Sequence, residues 1–424
     1  MERSLKPVTP EELKLLEAIE RKALWLSTYL IHYANKVRPN PDLIKVGGHQ
    51  ASTSSVVSLL TALLCRVMTP RDRLALKPHS SPAFHALQAM LGRLDPERLK
   101  QFRQFGGIQS YPSRRKDTDG VHFNTGSVGL GGVNVLFSAL VQDYVFRHYP
   151  QQEQPGRYIS LMGDAEMEEG TLYEALVEGQ NYNLRNLWWI IDLNRQSLDK
   201  LLNLNRVRQL YEIFVSFGWE VIVLKYSRSL IHLFDQPGGA ELKRWFDDVG
   251  NAEYQTLLRL PPDAYREQLL EQVGSRSKTA RALIARFDAQ ELKAAIMHLA
   301  GHDLQMICEA FDRAAAVPDR PVAILAYTIK GYGLPLAGHK DNHSGLLSHQ
   351  EIETLREACR IRPGEEFDLW AGLDDAPAVR AYLEAAPLHA GRQAQGTTAP
   401  PRLPVPVELG LRYKPQLSTQ AAFG

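Results

Sequence analysis

Apolar residues return at helical spacing near the start of the chain, where Leu15, Ile19, Ala23, Leu26 and Leu30 mark one face of a helix over residues 10–35. Thr9 and Pro10 supply a cap and a first-turn residue, and Glu11 and Glu12 lie at the positive end. A second, Ser-started apolar stretch covers 53–68. A third covers about 129–148 and opens Gly-Leu-Gly-Gly, small residues that let the backbone come close to another group. From 157 the pattern changes. A short apolar run over 157–162 ends in Gly163-Asp164, an acidic, alanine-bearing segment follows, and a second run, Leu-Trp-Trp-Ile-Ile-Asp-Leu, fills 187–193. Strand, helix and strand in that order predict a parallel crossover unit. Further strands are predicted at 219–224 and 322–327, each after helix-like sequence. The fold class that follows is α/β: a doubly wound, mostly parallel sheet flanked by helices, with ligands expected at the carboxyl ends of its strands. Residues 228–315 are charged, Leu/Ala-rich and helical in pattern, an excursion between two strands. A domain over 1–360 is predicted, with 361–424 as a C-terminal linker or tail, because Ala386-Pro387 and the Pro-rich 396–406 look stiff and extended.

Composition narrows the function classes. The chain has 424 residues, 44% hydrophobic and 23% charged, which is ordinary for a globular protein and far from a disordered one. Lys and Arg number 49 against 48 Asp and Glu, a net charge of +1 that supplies no general field toward a phosphate backbone or an anionic membrane. Nucleic acid and membrane are therefore not expected as partners. No apolar run is long enough to span a bilayer, and the first residues lack the apolar core of a secretory signal. Three widely spaced cysteines, Cys65, Cys308 and Cys359, suggest a reducing cytoplasm without a disulfide framework or zinc cluster.

Chemistry concentrates at two predicted strand ends. Asp164 and Asn194 stand thirty positions apart, so one crossover brings a carboxylate and an amide oxygen to the same edge of the sheet. Together with the main-chain carbonyl of Gln196 and the oxygens of a diphosphate, they suit an octahedral Mg²⁺, which accepts few protein ligands and prefers phosphate oxygens. Ala165 is small, and amides at the start of the following helix can meet a diphosphate. The plainer alternative is a helix cap at Asp164 and a turn at Asn194. The Glu168, Glu169, Glu174 and Glu178 series reads as an acidic helix face, Trp188-Trp189 as core or subunit contact, and Arg114-Arg115-Lys116 as a solvated turn.

Gly163-Asp164-Ala165-Glu166-Met167-Glu168-Glu169 followed by Asn194 resembles the thiamine diphosphate motif, although that motif usually has Gly where this chain has Ala165. Other segments match in order: Gly47-Gly-His-Gln-Ala-Ser52, His79-Ser-Ser-Pro82, Ser110-Tyr-Pro112, Thr125-Gly-Ser-Val-Gly-Leu-Gly131, Gly301-His-Asp303 and Thr328-Ile-Lys-Gly-Tyr-Gly333. The series resembles the N-terminal half of the homodimeric, bacterial-type pyruvate dehydrogenase E1 component of the transketolase superfamily. Ser110-Tyr-Pro-Ser113 stands where transketolases usually carry Gly-His-Pro-Glu, which favours the 2-oxoacid branch.

The resemblance implies thiamine diphosphate and Mg²⁺ as cofactors. It makes Asp164, Asn194 and the Gln196 carbonyl the metal ligands. Gly126, Ser127, Val128 and Gly129 become the loop approaching the cofactor; Gly163, Ala165, Glu166 and Lys330 border it. His49 and His79 become histidines lining the substrate channel, where an imidazole can move protons near neutral pH, and His339 and His343 lie on the mobile loop after the 328–333 element. In the family a second domain holds the aminopyrimidine and supplies its glutamate, and no later region of these 424 residues is expected to provide it. Ser418-Thr-Gln-Ala-Ala-Phe-Gly424 resembles the first turn of that domain. The expectation is a split enzyme, an α₂β₂ assembly with a separate subunit carrying the pyrimidine and C-terminal domains. A fragment of a longer chain is the other explanation. The expected substrate is pyruvate or another 2-oxoacid, with a lipoyl E2 as a possible partner. A split two-carbon ketol transferase of the transketolase kind and a non-catalytic relative remain as alternatives.

Overall fold

The architecture follows from runs that are apolar on both faces. In the computed structural model, residues 7–41, 45–117, 120–149, 156–194, 196–197, 200–201, 205–339 and 341–390 are described. Strands β1 (Arg73–Ala75), β2 (Tyr158–Gly163), β3 (Leu187–Leu193), β6 (Glu220–Leu224) and β7 (Val322–Tyr327) form one sheet in the order β1-β2-β3-β7-β6, every pair parallel. Between β3 and β6 in sequence, β4 (Gln196–Ser197) and β5 (Lys200–Leu201) make a small antiparallel ribbon. Along β3, Trp188 and Ile190 point into one core while Leu187, Trp189, Ile191 and Leu193 point into the other. β7 alternates likewise, with Val322, Ile324 and Ala326 opposite Ala323, Leu325 and Tyr327. Burial on both faces is why these strands read as unbroken apolar runs. The tryptophan pair is thus core, split between the two faces.

The first core packs against α1 (Pro10–His32), α2 (Gln50–Ser54), α3 (Val57–Ala62) and α4 (Ser81–Met90). Thr9 caps α1, its hydroxyl accepting from the Glu12 N–H at 3.1 Å, and the helix widens into a π turn over Tyr33–Val37. The second core packs against α5 (Leu130–His148), α6 (Gly170–Asn181) and α7 (Asn205–Ser216). It is also covered by the excursion, which is α8 (Arg228–Phe234), α9 (Gly239–Asp248), α10 (Asn251–Arg259), α11 (Pro262–Leu269), α12 (Lys278–Arg286) and α13 (Ala289–Met297). α14 (Leu304–Ala316) returns the chain to the first core before β7. α15 (His349–Ala358) and α16 (Ala376–Glu384) follow.

Three details differ from the sequence expectations. The apolar stretch over 53–68 is interrupted at Ser55 and Val56, where the Ser55 hydroxyl lies 2.8 Å from the buried Asp192 carboxylate and 3.0 Å from the Ser52 carbonyl. β1 and the β4–β5 ribbon are too short to leave a periodic signal. The boundary drawn at 360 moves to Ala390, where the compact unit ends. Ile361, Leu369, Val379, Leu383 and Leu388 join the first core, Trp25 Nε1 donates to the Glu366 carbonyl at 2.8 Å, and Lys22 Nζ donates to the Ala371 carbonyl at 2.9 Å. The Pro-rich 396–406 and the terminal 418–424 lie outside the described residues. Cys65, Cys308 and Cys359 are buried free thiols. Among the described residues, no helix is long and apolar enough to cross a membrane.

Candidate active site

The register of β2 on β3 fixes the first part of the site. Gly163 and Asp192 are the last aligned pair, so Asp164 and Asn194 leave neighbouring parallel strands side by side at the carboxyl edge. Both are buried. Asp164 opens a 3₁₀ turn over Asp164–Glu168, and its Oδ1 accepts from the Ala165 N–H at 2.9 Å. Glu166 clamps two loops together: Oε1 accepts from the Gly163 N–H at 3.1 Å, and Oε2 from the Gly129 N–H at 3.2 Å. Burial pushes its carboxyl pKa up, while those two N–H groups and Lys77 oppose the shift. The Gly126–Gly129 segment is thereby held beside the Gly163-Asp164 turn. Ser127 Oγ lies 3.5 Å from the Tyr111 hydroxyl, and Val128 is exposed. The Gln196 backbone starts the β4–β5 ribbon opposite Leu201. Two hard oxygen donors from adjacent strand ends beside a glycine-rich loop fit a Mg²⁺ diphosphate.

Beneath these oxygens lies a group that motif reasoning passed over. Asp192 is fully buried and pairs with Lys77 Nζ at 2.6 Å. Its carboxylate also accepts from Ser55 Oγ at 2.8 Å, from Asn194 Nδ2 at 3.1 Å and from the Thr328 hydroxyl. The signal was present: a lone acid inside an apolar strand run must be paired, because an isolated buried charge is costly. Lys77 stands two residues before His79, and its aliphatic chain runs past Gly163.

The histidines form the second part. His49, His79 and His343 converge, with ring centroids 3.8 Å apart for the first pair, 5.0 Å for His49 and His343, and 5.4 Å for His79 and His343. Two glycines set up His49. Gly47 and Gly48 have φ of +79° and +143°, and a Cβ on Gly48 would come within 2.6 Å of the Ile31 side chain. Arg103 braces the same loop by donating to the Val46 carbonyl at 2.8 Å. Lys330 is buried, with Nζ 3.4 Å from His343 Nδ1, and Tyr111 meets His79 edge-on at 6.1 Å.

Burial, then His343, Arg103, Lys330 and Lys77, lowers the His49 pKa to about 3. Burial, then His49, Lys77, His343 and Lys330, lowers that of His79 to about 2. The ring nitrogens of the three histidines lie within 4.8 Å of one another, close enough in principle for a metal. The surrounding cationic side chains favour an anionic ligand there instead. His339 stays out of the cluster; its Nδ1 accepts from the Asp341 N–H at 3.1 Å. The Gly301-His-Asp303 motif serves the scaffold: His302 is buried, stacks on Tyr332 at 3.6 Å, and accepts the Ile329 N–H at 2.8 Å, steadying the backbone that carries Lys330.

The family described as "Transketolase, thiamine diphosphate binding domain" matches residues 66–233 and 273–382, more than half of the chain. Apart from His49, the candidate residues named above as converging at the sheet edge fall within the matched segments. The chain is 28% identical over 365 residues to the pyruvate dehydrogenase E1 component of Corynebacterium glutamicum, covering 83% of this chain and 38% of that protein. It is 28% identical over 361 residues to the pyruvate dehydrogenase E1 component of Escherichia coli K12, covering 82% and 40%. The chain therefore spans about two fifths of the length of these curated relatives. Among solved structures, transketolase from Leishmania mexicana aligns over 87% of this chain and 44% of its own, with a TM-score of 0.58 at 19% identity. A transketolase variant from Pichia stipitis aligns over the same shares with a TM-score of 0.59, also at 19% identity. Identity that low speaks to the fold. Sheet order, strand-end oxygens and the match over most of the folded unit lead to one assignment: this chain belongs to the transketolase family through its thiamine diphosphate binding domain.

Proposed function

We propose that this chain is the diphosphate- and Mg²⁺-binding part of an enzyme that decarboxylates a 2-oxoacid, pyruvate or a close homologue, and passes the acyl unit to an acceptor. The observation that carries the reading is the meeting, at one sheet edge, of the Asp164 and Asn194 oxygens with three convergent histidines beside Lys330. Asp164, Asn194 and the Gln196 carbonyl would hold Mg²⁺, and the Gly126–Gly129 loop, fastened by Glu166, would border the diphosphate. Bound thiamine diphosphate supplies the electron sink for loss of CO₂. His49, His79 and His343 line the channel around the substrate oxygen, and burial keeps His49 and His79 uncharged, so that they hydrogen-bond that oxygen rather than stand as charged acids. Lys330 offers a positive charge to the anionic substrate. These residues correspond to 38% and 40% of the length of the E1 relatives, and the pyrimidine-binding part of the cofactor site is expected outside them.

The test is turnover by the chain combined with a chain carrying the pyrimidine domain. Release of CO₂ from pyruvate is expected, whereas turnover of ketose phosphates alone would move the assignment to two-carbon ketol transfer. In the same assay His79→Ala and His343→Ala are expected to lose about 10²–10³-fold in kcat/KM. His339→Ala should stay near wild type, since His339 stands outside the cluster.

A further inference from the structure

Metal-ligating side chains work only when something holds them in the right orientation, and an amide ligand has a particular weakness: either end can face the metal. Asn194 ligates through oxygen only if its NH₂ is engaged elsewhere. In this chain Asn194 Nδ2 donates to Asp192 Oδ2 at 3.1 Å. The assignment of that nitrogen is chemical, because a carboxylate paired with an ammonium at 2.6 Å accepts hydrogen bonds and cannot donate one. The amide is therefore turned so that Oδ1 is directed away from Asp192.

Asp192 is itself held from several directions. Lys77 reaches it from the end of β1, Ser55 from the break between α2 and α3, and Thr328 from the end of β7. It stands on β3 in register with Gly163, the residue before Asp164. Four segments of the site edge thus meet on one buried carboxylate. Lys77 also passes Gly163, its side-chain carbons lying 3.6 and 3.8 Å from where a Cβ would stand there. The pair consequently lies beside the end of β2, with Lys77 two residues before His79. A buried ion pair is poor evidence of stability, since well-packed apolar residues of similar volume often fold as well or better. What apolar residues cannot do is orient an amide.

We propose that Asp192 is a positioning residue for the metal site: with Lys77 as its counter-ion it holds the Asn194 amide in the orientation that presents oxygen to Mg²⁺. The assignment rests on the functional reading above, in which Asn194 is a metal ligand. It concerns neither contact with the metal nor proton transfer by Asp192.

The experiment uses the full chain and the double variant Lys77→Met/Asp192→Leu, which removes both charges together and is expected to fold. Calorimetry measures thiamine diphosphate binding across a range of Mg²⁺ concentrations. The Mg²⁺ needed for half-maximal binding is expected to rise about tenfold or more, the usual consequence of losing a group that orients a ligand. In parallel, NMR of protein labelled with ¹⁵N at asparagine follows hydrogen exchange of the Asn194 side-chain amide, which should quicken in the variant. The single Asp192→Asn variant, which keeps the shape and loses the charge, should move both readouts in the same direction. A purely structural role would lower the thermal midpoint and leave the Mg²⁺ requirement alone. A folded double variant with wild-type Mg²⁺ requirement, or unchanged Asn194 exchange, overturns the proposal. Should wild type bind no thiamine diphosphate with Mg²⁺ even when combined with a chain carrying the pyrimidine domain, the functional reading fails, and the exchange measurement still decides whether Asp192 holds Asn194.

Discussion

His49 and His79 face each other with ring centroids 3.8 Å apart, in surroundings that disfavour a charge on either. Burial is the main cause for both, and His343, Lys330 and Lys77 add to it, taking the two pKa values to about 3 and about 2. An unfolded histidine titrates near ~6.5. Below that pH the unfolded chain binds protons that the folded site refuses, so stability is intact above it and falls as pH drops toward the folded values. The thermal midpoint of wild type should therefore decline more steeply than that of His79→Asn between roughly pH 6.5 and 4.5. Parallel declines would show that His79 is not held neutral. Much of this chemistry is legible from short stretches: Asp164 and Asn194 stand at a telling spacing, and His49 and His79 stand in motifs that resemble those of the family. Asp192 was legible in another way, as one acid inside Leu-Trp-Trp-Ile-Ile-Asp-Leu. Choosing between His339 and His343 was not, because both lie on one loop and only its fold decides which reaches Lys330.

Elements with a strong period or an unbroken apolar run are the ones the sequence discloses. β3 and β7 are long apolar runs because both faces are covered, and α5 announces itself by small residues followed by an apolar stretch. At the break between α2 and α3 local and distant contacts combine: the Ser54 and Ser55 hydroxyls turn back on the Ala51 and Ser52 carbonyls, and Ser55 also reaches Asp192, 137 positions away. Close approach of backbone is another hidden constraint. Gly301 precedes the buried His302 where the chain passes the end of β7, and a Cβ there would lie 2.4 Å from the Tyr327 carbonyl oxygen and 2.6 Å from Thr328 Cγ2. Gly301→Ala should cost about 1–3 kcal/mol in urea unfolding, the range for forcing extra atoms into a filled space. An unchanged denaturation midpoint would mean that the β7 end can shift freely.

At the scale of the molecule, one parallel sheet with a core on each face puts the carboxyl ends of β1, β2, β3 and β7 along a single edge. Lys77, Asp164, Asn194 and Thr328 all follow from that arrangement, one from the end of each strand. The excursion over α8–α13 covers the second face, and residues 361–390 cover the first, where scattered apolar positions gave no helical or strand period strong enough to set them apart from a tail. The central claim is that the paired strand ends make a Mg²⁺-dependent diphosphate site. Calorimetric titration of thiamine diphosphate into the chain combined with a chain carrying the pyrimidine domain, with and without Mg²⁺, tests it most directly when wild type is compared with Asp164→Ala. Binding by wild type that requires Mg²⁺ and is lost in a folded Asp164→Ala is the predicted result; Mg²⁺-independent binding, or equal binding by the variant, would contradict it.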